Sequence, residues 1–220
     1  EATRRSVGTN TNLGTVLLLA PLAMVPRATP LASGVGTILD GLTAADAELV
    51  YRAIRLAAAG GLGTADEHDV RGDAPAELLT AMRAAAERDL VARQYANGFQ
   101  QVLGEAVPWL VSEVEAGHSL VDAVVSTHLR LLVAYPDSLI TRKAGVDAAN
   151  QAAAMASRTL EAGPVGSEDY ERALTELDFW MRADGRQRNP GTTADLIAAA
   201  LFACFREGII HTPFRFSRQP

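Results

Sequence analysis

The apolar segments of this 220-residue chain are bounded, from one end to the other, by residues that start and stop α-helices. Side-chain oxygens of Ser, Thr, Asp and Asn accept hydrogen bonds from the free N–H groups at a helix start, and Gly commonly ends a helix. No part of the sequence alternates strand and helix patterns as a parallel sheet requires. The sequence therefore predicts an all-α fold. Helices are predicted over residues 43–59, 75–103, 108–116, 120–134, 144–160, 168–183 and 193–208.

A further helix is predicted directly after Asn12, and its residues 13–20 are apolar on all sides. A helix without a polar face is normally buried. The apolar run ends near Val25, is too short to span a bilayer and is interrupted by Pro21, so we expect no membrane contact and a cytoplasmic location. We predict a single compact multi-helix domain over residues 1–220, built around this central helix. We also expect a segment upstream of Glu1 to contribute to it.

Composition and motifs exclude several classes of protein. The formal net charge of −6 argues against a nucleic-acid-binding surface. The single cysteine, Cys204, excludes a disulfide framework and a cysteine-based zinc site. The sequence also lacks a P-loop, a dinucleotide-binding fingerprint after a strand, a serine-hydrolase elbow and an HExxH zinc motif. What remains is a set of polar clusters, most of them at predicted helix starts.

The first cluster precedes the apolar helix and consists of Asn10, Thr11, Asn12 and Gly14. Free N–H groups and the positive end of the helix dipole favour an anion such as phosphate at a helix start. The amides of Asn10 and Asn12 add hydrogen-bond donors, and Gly14 allows a ligand to approach closely. Taken alone, the cluster is more typical of an ordinary helix cap, and a phosphate site is the alternative.

The second cluster opens the last predicted helix with Asn189, Gly191, Thr192, Thr193 and Asp195. A carboxylate in the first turn of a helix stabilises that helix through its dipole. Asp195 is therefore either such a stabilising charge or a ligand of a metal ion or a ribose. The sequence leaves both interpretations open.

Asp178, on the preceding predicted helix, is the third candidate. Leu174, Leu177, Asp178 and Met181 follow the spacing of one helix face, which predicts that the carboxylate lies on an apolar face. A buried carboxylate needs a partner or a raised pKa, and this favours a catalytic role. The alternative is an ion pair with Arg182, one turn later.

An acidic, glycine-rich loop and the helix after it form the fourth group, which includes Asp69, Arg88 and Asp89. Carboxylates are the ligands that Mg²⁺ prefers, so Asp69 is a predicted metal ligand together with Asp195. A solvated acidic loop, with Asp89 and Arg93 as a surface pair, is the alternative.

The fifth group places Asp137 in a turn before Arg142 and Lys143. A guanidinium beside an ammonium suits the binding of phosphate, because arginine can donate two parallel hydrogen bonds. A solvated charge pair is the alternative. Taken alone, the two interpretations have similar weight.

In this order the clusters resemble the ATP:dephospho-CoA triphosphoribosyl transferase family, over nearly the whole chain from Gly8 to Glu207. No single motif is specific, but the ordered set is. The segments that carry the resemblance are residues 9–14, Gly60-Gly61-Leu62-Gly63 with Asp69-Val70, Arg88-Asp89 with Gln94-Tyr95, Pro136-Asp137-Ser138 with Arg142-Lys143, and Leu177-Asp178 with residues 189–196.

The resemblance implies an all-helical pentosyltransferase that uses ATP and a 3′-dephospho-CoA-like acceptor, with Mg²⁺ for the triphosphate. The acceptor's ribose 2′-hydroxyl attacks C1′ of the ATP ribose, and adenine leaves. Residues at matching positions then become binding candidates: Asn10, Thr11, Asn12, Gly14, Arg88, Arg142, Lys143, Asn189, Gly191, Thr192 and Thr193. The catalytic candidates are Asp89, Asp137, Asp178 and Asp195, with Asp69 and Asp195 as metal ligands. Which acid is the base and which binds metal stays open.

Two motifs differ from those of members that serve citrate lyase and malonate decarboxylase. Those members read Asn-Thr-His-Lys-Gly where this chain has residues 10–14, and Pro-Gly-Gly-Ser-Ala-Asp where it has residues 190–195. The differences leave open an enzyme of pterin- or furan-type one-carbon cofactor synthesis with another acceptor. A helical nucleotide-binding domain without turnover, a phosphohydrolase and a homodimeric assembly also stay open.

Overall fold

A computed structural model of the chain describes residues 12–57 and 68–211. These residues form eleven α-helices and one π-helical segment, without a strand, which confirms the predicted all-α fold. The chain divides into two compact units, Glu1–Gln101 and Val102–Pro220, so the expectation of one domain stays a prediction. None of the helices in the described ranges is long and apolar enough to cross a membrane.

The helices of the first unit are α1 (Leu13–Met24), α2 (Leu31–Asp40), α3 (Ala44–Ala57), α4 (Leu78–Ala85) and α5 (Leu90–Asn97). The prediction of a helix buried on all sides is wrong for α1. It buries Leu18, Pro21 and Leu22, whereas Val16 and Met24 are more than half exposed. An apolar sequence therefore did not determine how much of this helix its neighbours cover.

A proline inside α1 explains how this helix is fixed to α5. Pro21 has no N–H group, so the carbonyl of Leu17 lacks the intrahelical donor that residue 21 would otherwise supply. The hydroxyl of the buried Tyr95, on α5, donates to that carbonyl at 2.6 Å. Burial raises the pKa of Tyr95, which keeps the hydroxyl protonated as a donor.

The long helix predicted over residues 75–103 is instead two helices followed by a π-helical segment, Gln100–Ala106. Asp89 starts α5 as its N-cap and so separates α5 from α4. Gly98 ends α5 at a φ of 71°, and Phe99 follows at 66°. A left-handed residue at this position is the usual end of a helix. The prediction missed both ends of α5, although the residues that cap them, Asp89 and Gly98, are visible in the sequence.

Helix α2 was not predicted, because the sequence of residues 26–41 is rich in glycine and proline. One of these glycines is required by packing. A Cβ atom at Gly34 would lie 2.4 Å from Cγ1 of Val25, closer than two carbon atoms can approach. The glycine therefore permits a close contact inside the first unit rather than interrupting the helix.

The second unit contains α6 (Val107–Glu115), α7 (Leu120–Ala134), α8 (Ser138–Ala144), α9 (Val146–Glu161), α10 (Glu168–Arg182) and α11 (Gly191–Arg206). The prediction for α7 matches its bounds, and α10 begins after the predicted cap, Ser167. Helix α9 packs against α7, α8 and α10, and α11 packs against α6, α7 and α8. The short helix α8, which was not predicted, lies beside the start of α11 and positions the candidate site.

Candidate active site

A buried carboxylate, that of Asp137, joins the starts of two helices in the second unit. Its Oδ1 accepts hydrogen bonds from the N–H groups of Leu139 at 2.8 Å and Ile140 at 3.0 Å, which caps α8. Its Oδ2 accepts from both the N–H group and the hydroxyl of Thr193, each at 2.7 Å. Residue 193 lies 56 positions further along the chain, in the first turn of α11. The second and fifth polar clusters therefore meet at one carboxylate.

Two further contacts hold this junction together. The hydroxyl of Ser138 donates to that of Thr192 at 3.1 Å, and both residues are buried. A Cβ atom at Gly191 would lie 2.6 Å from Cδ2 of Leu139. A larger residue at this position would therefore displace the side chain of Leu139, and glycine lets α11 begin directly against α8. Its N–H group donates to the carbonyl of Asn189 at 2.8 Å, which closes the turn before α11.

The electrostatics of Asp137 reflect two opposing effects. Burial raises the pKa of this carboxyl, and the hydrogen bonds from Thr193, Ile140 and Leu139 oppose the shift by stabilising the charged form. The family resemblance makes Thr192 and Thr193, in the first turn of α11, candidates for nucleotide binding. In the structure the N–H group and hydroxyl of Thr193 are directed to the protein's own carboxylate instead, and Thr192 and Thr193 are both buried. Their role in ligand binding stays a prediction.

The other predicted site residues of this unit are exposed or half-buried. Asp195, on α11, and Arg142, on α8, are half-buried. The prediction that Asp195 lies in the first turn of the last helix is wrong, because α11 begins at Gly191 and no acidic residue lies in its first turn. Lys143 and Asn189 are exposed. The half-buried acid and guanidinium thus belong to the two helices that Asp137 joins, which makes this junction the best-defined group of candidate side chains.

The prediction that Asp178 lies on an apolar face is wrong. Its side chain is 55% exposed and accepts two hydrogen bonds at 2.8 Å from Nε of Arg182, one turn later on α10. Leu177 is the buried neighbour at this level of the helix. The spacing of Leu174, Leu177 and Met181 is correct for a core face, but that face does not extend to residue 178. The surface ion pair given as the alternative is what the structure contains.

The loop between α10 and α11 contains residues that the sequence analysis missed. Oδ1 of Asp184 accepts from the N–H groups of Gln187 at 3.0 Å and Arg188 at 3.3 Å, and the side chain of Arg188 returns to Trp180 on α10. The Asp184-Gly185 dipeptide is a turn signal that was available in the sequence. The contact of Arg188 with Trp180 had no comparable signal, because it depends on how the loop folds back.

In the first unit, Asn10 and Thr11 lie outside the described residues. Asn12 precedes α1 but makes no side-chain cap hydrogen bond, and Gly14 is half-buried in its first turn. Asp89 accepts from the N–H groups of residues 91 and 92 at 2.8 and 3.1 Å as the cap of α5. Arg88 donates to the carbonyl of residue 84 at 3.3 Å. Asp89 thus has a structural function in this unit, and its catalytic role stays a prediction.

Asp69, the other predicted metal ligand, is paired with a cation. Arg71 donates to both of its carboxylate oxygens, at 2.9 and 2.7 Å. Tyr51 and Arg55 of α3 hold the neighbouring backbone, since they donate to the carbonyls of residues 68, 70 and 72. No three His, Cys, Asp or Glu side chains within residues 12–57 and 68–211 form a group that could hold a metal ion. The described residues therefore do not fit a Mg²⁺ site built by the protein alone.

Comparison with known proteins gives the context for this geometry. A family model for ATP:dephospho-CoA triphosphoribosyl transferase matches residues 1–211. The chain is 33% identical over 109 residues to a protein of Pseudomonas syringae pv. tomato named "Probable 2-(5''-triphosphoribosyl)-3'-dephosphocoenzyme-A synthase". It is 34% identical over 109 residues to a protein of the same name from Pseudomonas syringae pv. syringae.

The extent of these matches differs between the chain and its relatives. In both cases the matched segment covers 50% of this chain and 37% of the relative. No solved structure matches the chain. Since the family model extends over nearly the full sequence, the chain belongs to the ATP:dephospho-CoA triphosphoribosyl transferase family.

Proposed function

We propose that this chain transfers the 5-triphosphoribosyl group of ATP to the ribose 2′-hydroxyl of 3′-dephospho-CoA. The observation that carries the proposal is the junction at Asp137. It brings together two separate segments that were identified from their resemblance to the family, and the family model matches the chain over both of them. Half-buried Arg142 and Asp195 lie on the two helices that meet there.

The reaction exchanges one bond at C1′ of the ATP ribose for another. The bond from C1′ to N9 of adenine breaks, and its electron pair leaves with the base. The bond from C1′ to the acceptor's 2′-oxygen forms, and the proton of that hydroxyl balances the charge on the departing base, so that neutral adenine is released. Positive charge develops on the ribose ring during this exchange, and a nearby carboxylate stabilises it.

We assign the stabilising charge to Asp195. Asp195 lies on α11, whose start is bound by Asp137, and its side chain is partly accessible to a ligand, whereas Asp137 is fully buried. Asp195 lies one turn after Gly191, the glycine that opens this helix. Arg142, with Lys143 on the same short helix, is proposed to bind phosphate oxygens, because a guanidinium matches phosphate with two parallel hydrogen bonds.

We further propose that Mg²⁺ enters with the triphosphate rather than at a site built by the protein. Mg²⁺ commonly retains waters and binds through one or two carboxylates together with substrate phosphates. Such binding does not need the group of three or more acidic side chains that the described residues lack. When bound, the ion would offset the negative charge of the triphosphate.

A second candidate function is nucleotide binding without turnover. It is favoured by the finding that Asp137 and Asp89 serve as helix caps and that Asp178 forms a surface ion pair. A domain with these acids engaged in the fold retains a helix junction and cations but has fewer groups for catalysis. The two functions differ in whether adenine is released.

The experiment is to incubate the protein with ATP, Mg²⁺ and 3′-dephospho-CoA and to measure adenine and the product mass. Free adenine that requires the acceptor supports the transfer. Free phosphate without adenine would instead identify a phosphohydrolase, and ATP binding without either product would favour the binding domain. Replacing dephospho-CoA with pterin- or furan-type acceptors tests the related one-carbon reaction.

Asp195→Asn is the decisive variant in this assay. Asparagine has nearly the same size, and Asp195 is neither the N-cap of α11 nor in its first turn, so the melting temperature should change little. Loss of a charge needed in the transition state should lower the rate of adenine release by about 10²- to 10³-fold. Asp178→Asn is the matched control, because it removes an exposed carboxylate. If Asp195→Asn releases adenine as fast as Asp178→Asn does, Asp195 has no part in the proposed mechanism.

A further inference from the structure

The loop that leads into α11 is held at one point by a guanidinium between a carboxylate and an indole ring. Nε of Arg188 lies 2.8 Å from Oδ2 of Asp184, and Nη1 donates to the carbonyl of Trp180 at 3.0 Å. The guanidinium carbon lies 4.2 Å from the centre of the Trp180 ring. The side chain of Arg188 is only 27% exposed, so these contacts are partly shielded from water. Such a cation–π contact is stronger when it is desolvated.

Trp180, the residue that Arg188 contacts, is part of the core that supports α8. Trp180 packs against a cluster formed by Ile140, Ala149 and Ala152. Ile140 is also one of the two residues whose N–H groups are capped by Asp137. The indole ring that holds Arg188 is therefore fixed to the same helix that begins at the candidate site.

The backbone of the loop needs this support. Gly185 and Arg186 have φ values of 67° and 79°. The left-handed conformation costs little for glycine, but it is unfavourable for an arginine and persists only where surrounding contacts hold it. Asp184 and Arg188 provide such contacts on either side of the two residues.

Only a short segment separates Arg188 from the junction at Asp137. Arg188 holds the chain at one end, Thr193 is bound to Asp137 at the other, and Asn189 and Gly191 lie between them. With both ends fixed, the backbone over these residues has few ways to move. Without the Arg188 side chain, this end of the segment would keep the backbone hydrogen bonds to Asp184 and would lose its contact with Trp180.

We infer that Arg188 is a positioning residue that sets the place of residues 189–193 at the start of α11. The inference rests on the proposed function for its kinetic consequence, because Asn189, Gly191 and Thr192 are among the nucleotide-binding candidates that the family resemblance implies. Arg188 acts through this segment and does not itself contact substrate. Lysine cannot replace it fully, since an ammonium does not offer a planar group that stacks and donates in two directions.

The test compares Arg188→Ala and Arg188→Lys with Arg172→Ala. Arg172 also forms an ion pair with an aspartate, Asp169, but both side chains are well exposed on α10. Hydrogen–deuterium exchange is measured over residues 185–193, and kcat and KM for ATP are measured by adenine release. Melting temperatures show whether each variant is folded under the conditions of the assay.

For Arg188→Ala we expect exchange over residues 185–193 to rise at least about tenfold, with exchange in α10 unchanged. We expect KM for ATP to rise by roughly 10- to 100-fold, more than kcat falls, because the segment is displaced before the substrate binds. Arg188→Lys should recover part of both effects, and Arg172→Ala should behave as the unmodified protein.

If residues 185–193 exchange at the same rate in Arg188→Ala and in Arg172→Ala, the inference is overturned, whatever the values of kcat and KM. Faster exchange with unchanged KM and kcat would also overturn it, because the segment would then be held in place without benefit to the site. If the unmodified protein releases no adenine, the proposed function fails by itself. The exchange measurement then still decides whether Arg188 fixes this segment.

Discussion

Replacing Asp137 with asparagine separates the two functions that its carboxylate oxygens perform. Asparagine keeps a carbonyl oxygen that can accept from the N–H groups at the start of α8, where Oδ1 accepts now. It places an NH₂ group where Oδ2 accepts from the N–H group and hydroxyl of Thr193 at 2.7 Å. The hydroxyl can reverse its direction, but the N–H group of Thr193 would then face another donor in a buried site.

The expected loss follows from those two hydrogen bonds. A hydrogen bond to a charged group contributes about 1.5–3 kcal/mol, so two of them amount to about 3–6 kcal/mol. Removing the charge relieves part of the desolvation that raises the pKa of Asp137, which offsets the loss. We expect Asp137→Asn to lower the free energy of unfolding by about 3 kcal/mol.

Asp89→Asn is the matched control. Asp89 is also an N-cap, and its Oδ1 accepts from the N–H groups two and three residues later, as in Asp137. Asparagine caps helices as well as aspartate does, so this variant should change the free energy of unfolding by less than about 0.5 kcal/mol. The difference between the two variants therefore isolates the bonds of Asp137 to Thr193.

Urea unfolding followed by circular dichroism at 222 nm measures both variants. A loss in Asp137→Asn no larger than that in Asp89→Asn would refute the role given to Oδ2. Thr193→Val adds a second test, because it removes the hydroxyl from the same group. The losses from Asp137→Asn and Thr193→Val should add up to more than the loss in the double variant, since both disrupt one shared interaction.

Three further predictions concern other parts of the molecule. Tyr95→Phe should lower the free energy of unfolding by about 1–2 kcal/mol. The loss should be smaller in a Pro21→Ala background, where residue 21 has an N–H group that can donate to the carbonyl of Leu17. Equal losses in both backgrounds would contradict this explanation. Burial lowers the pKa of His128 to about 4, so the unfolded chain binds a proton more readily than the folded one. The free energy of unfolding should therefore fall by about 3 kcal/mol as the pH drops from 6.5 to 4. Denaturant titrations at several pH values should show a smaller fall in His128→Gln. Chelation of Mg²⁺ should abolish adenine release and added Mg²⁺ should restore it, whereas full activity in chelator would remove the ion from the proposal.

The sequence determined the features that depend on neighbouring residues along the chain. Ser167 accepts from the N–H group of Tyr170, three residues later, and α10 begins where the sequence predicts. Asp89 and Asp137 cap helices by the same local interaction, although the prediction did not use these residues as helix starts. A cap bond joins atoms within one turn, so the residue types nearby are sufficient to specify it.

The tertiary structure alone decided the contacts between distant segments. The apolar spacing around Asp178 is correct for a helix, but only packing shows that this position faces solvent and pairs with Arg182. The hydroxyl of Tyr95 donates a hydrogen bond to the carbonyl of Leu17, 78 residues earlier in the chain. Each of these outcomes depends on which helix faces come together, and that choice reflects the combined packing of many side chains rather than any local pattern.

Asp137 shows both levels in one side chain. Its Oδ1 bonds follow from its position directly before α8, and the sequence is enough to explain them. Its Oδ2 bonds require the first turn of α11 to lie beside α8, with Gly191 close to Leu139. Sequence therefore specifies that this carboxylate caps a helix, and the fold determines that it also joins a second helix start, because only the packed arrangement of α8 and α11 brings Thr193 within hydrogen-bonding distance.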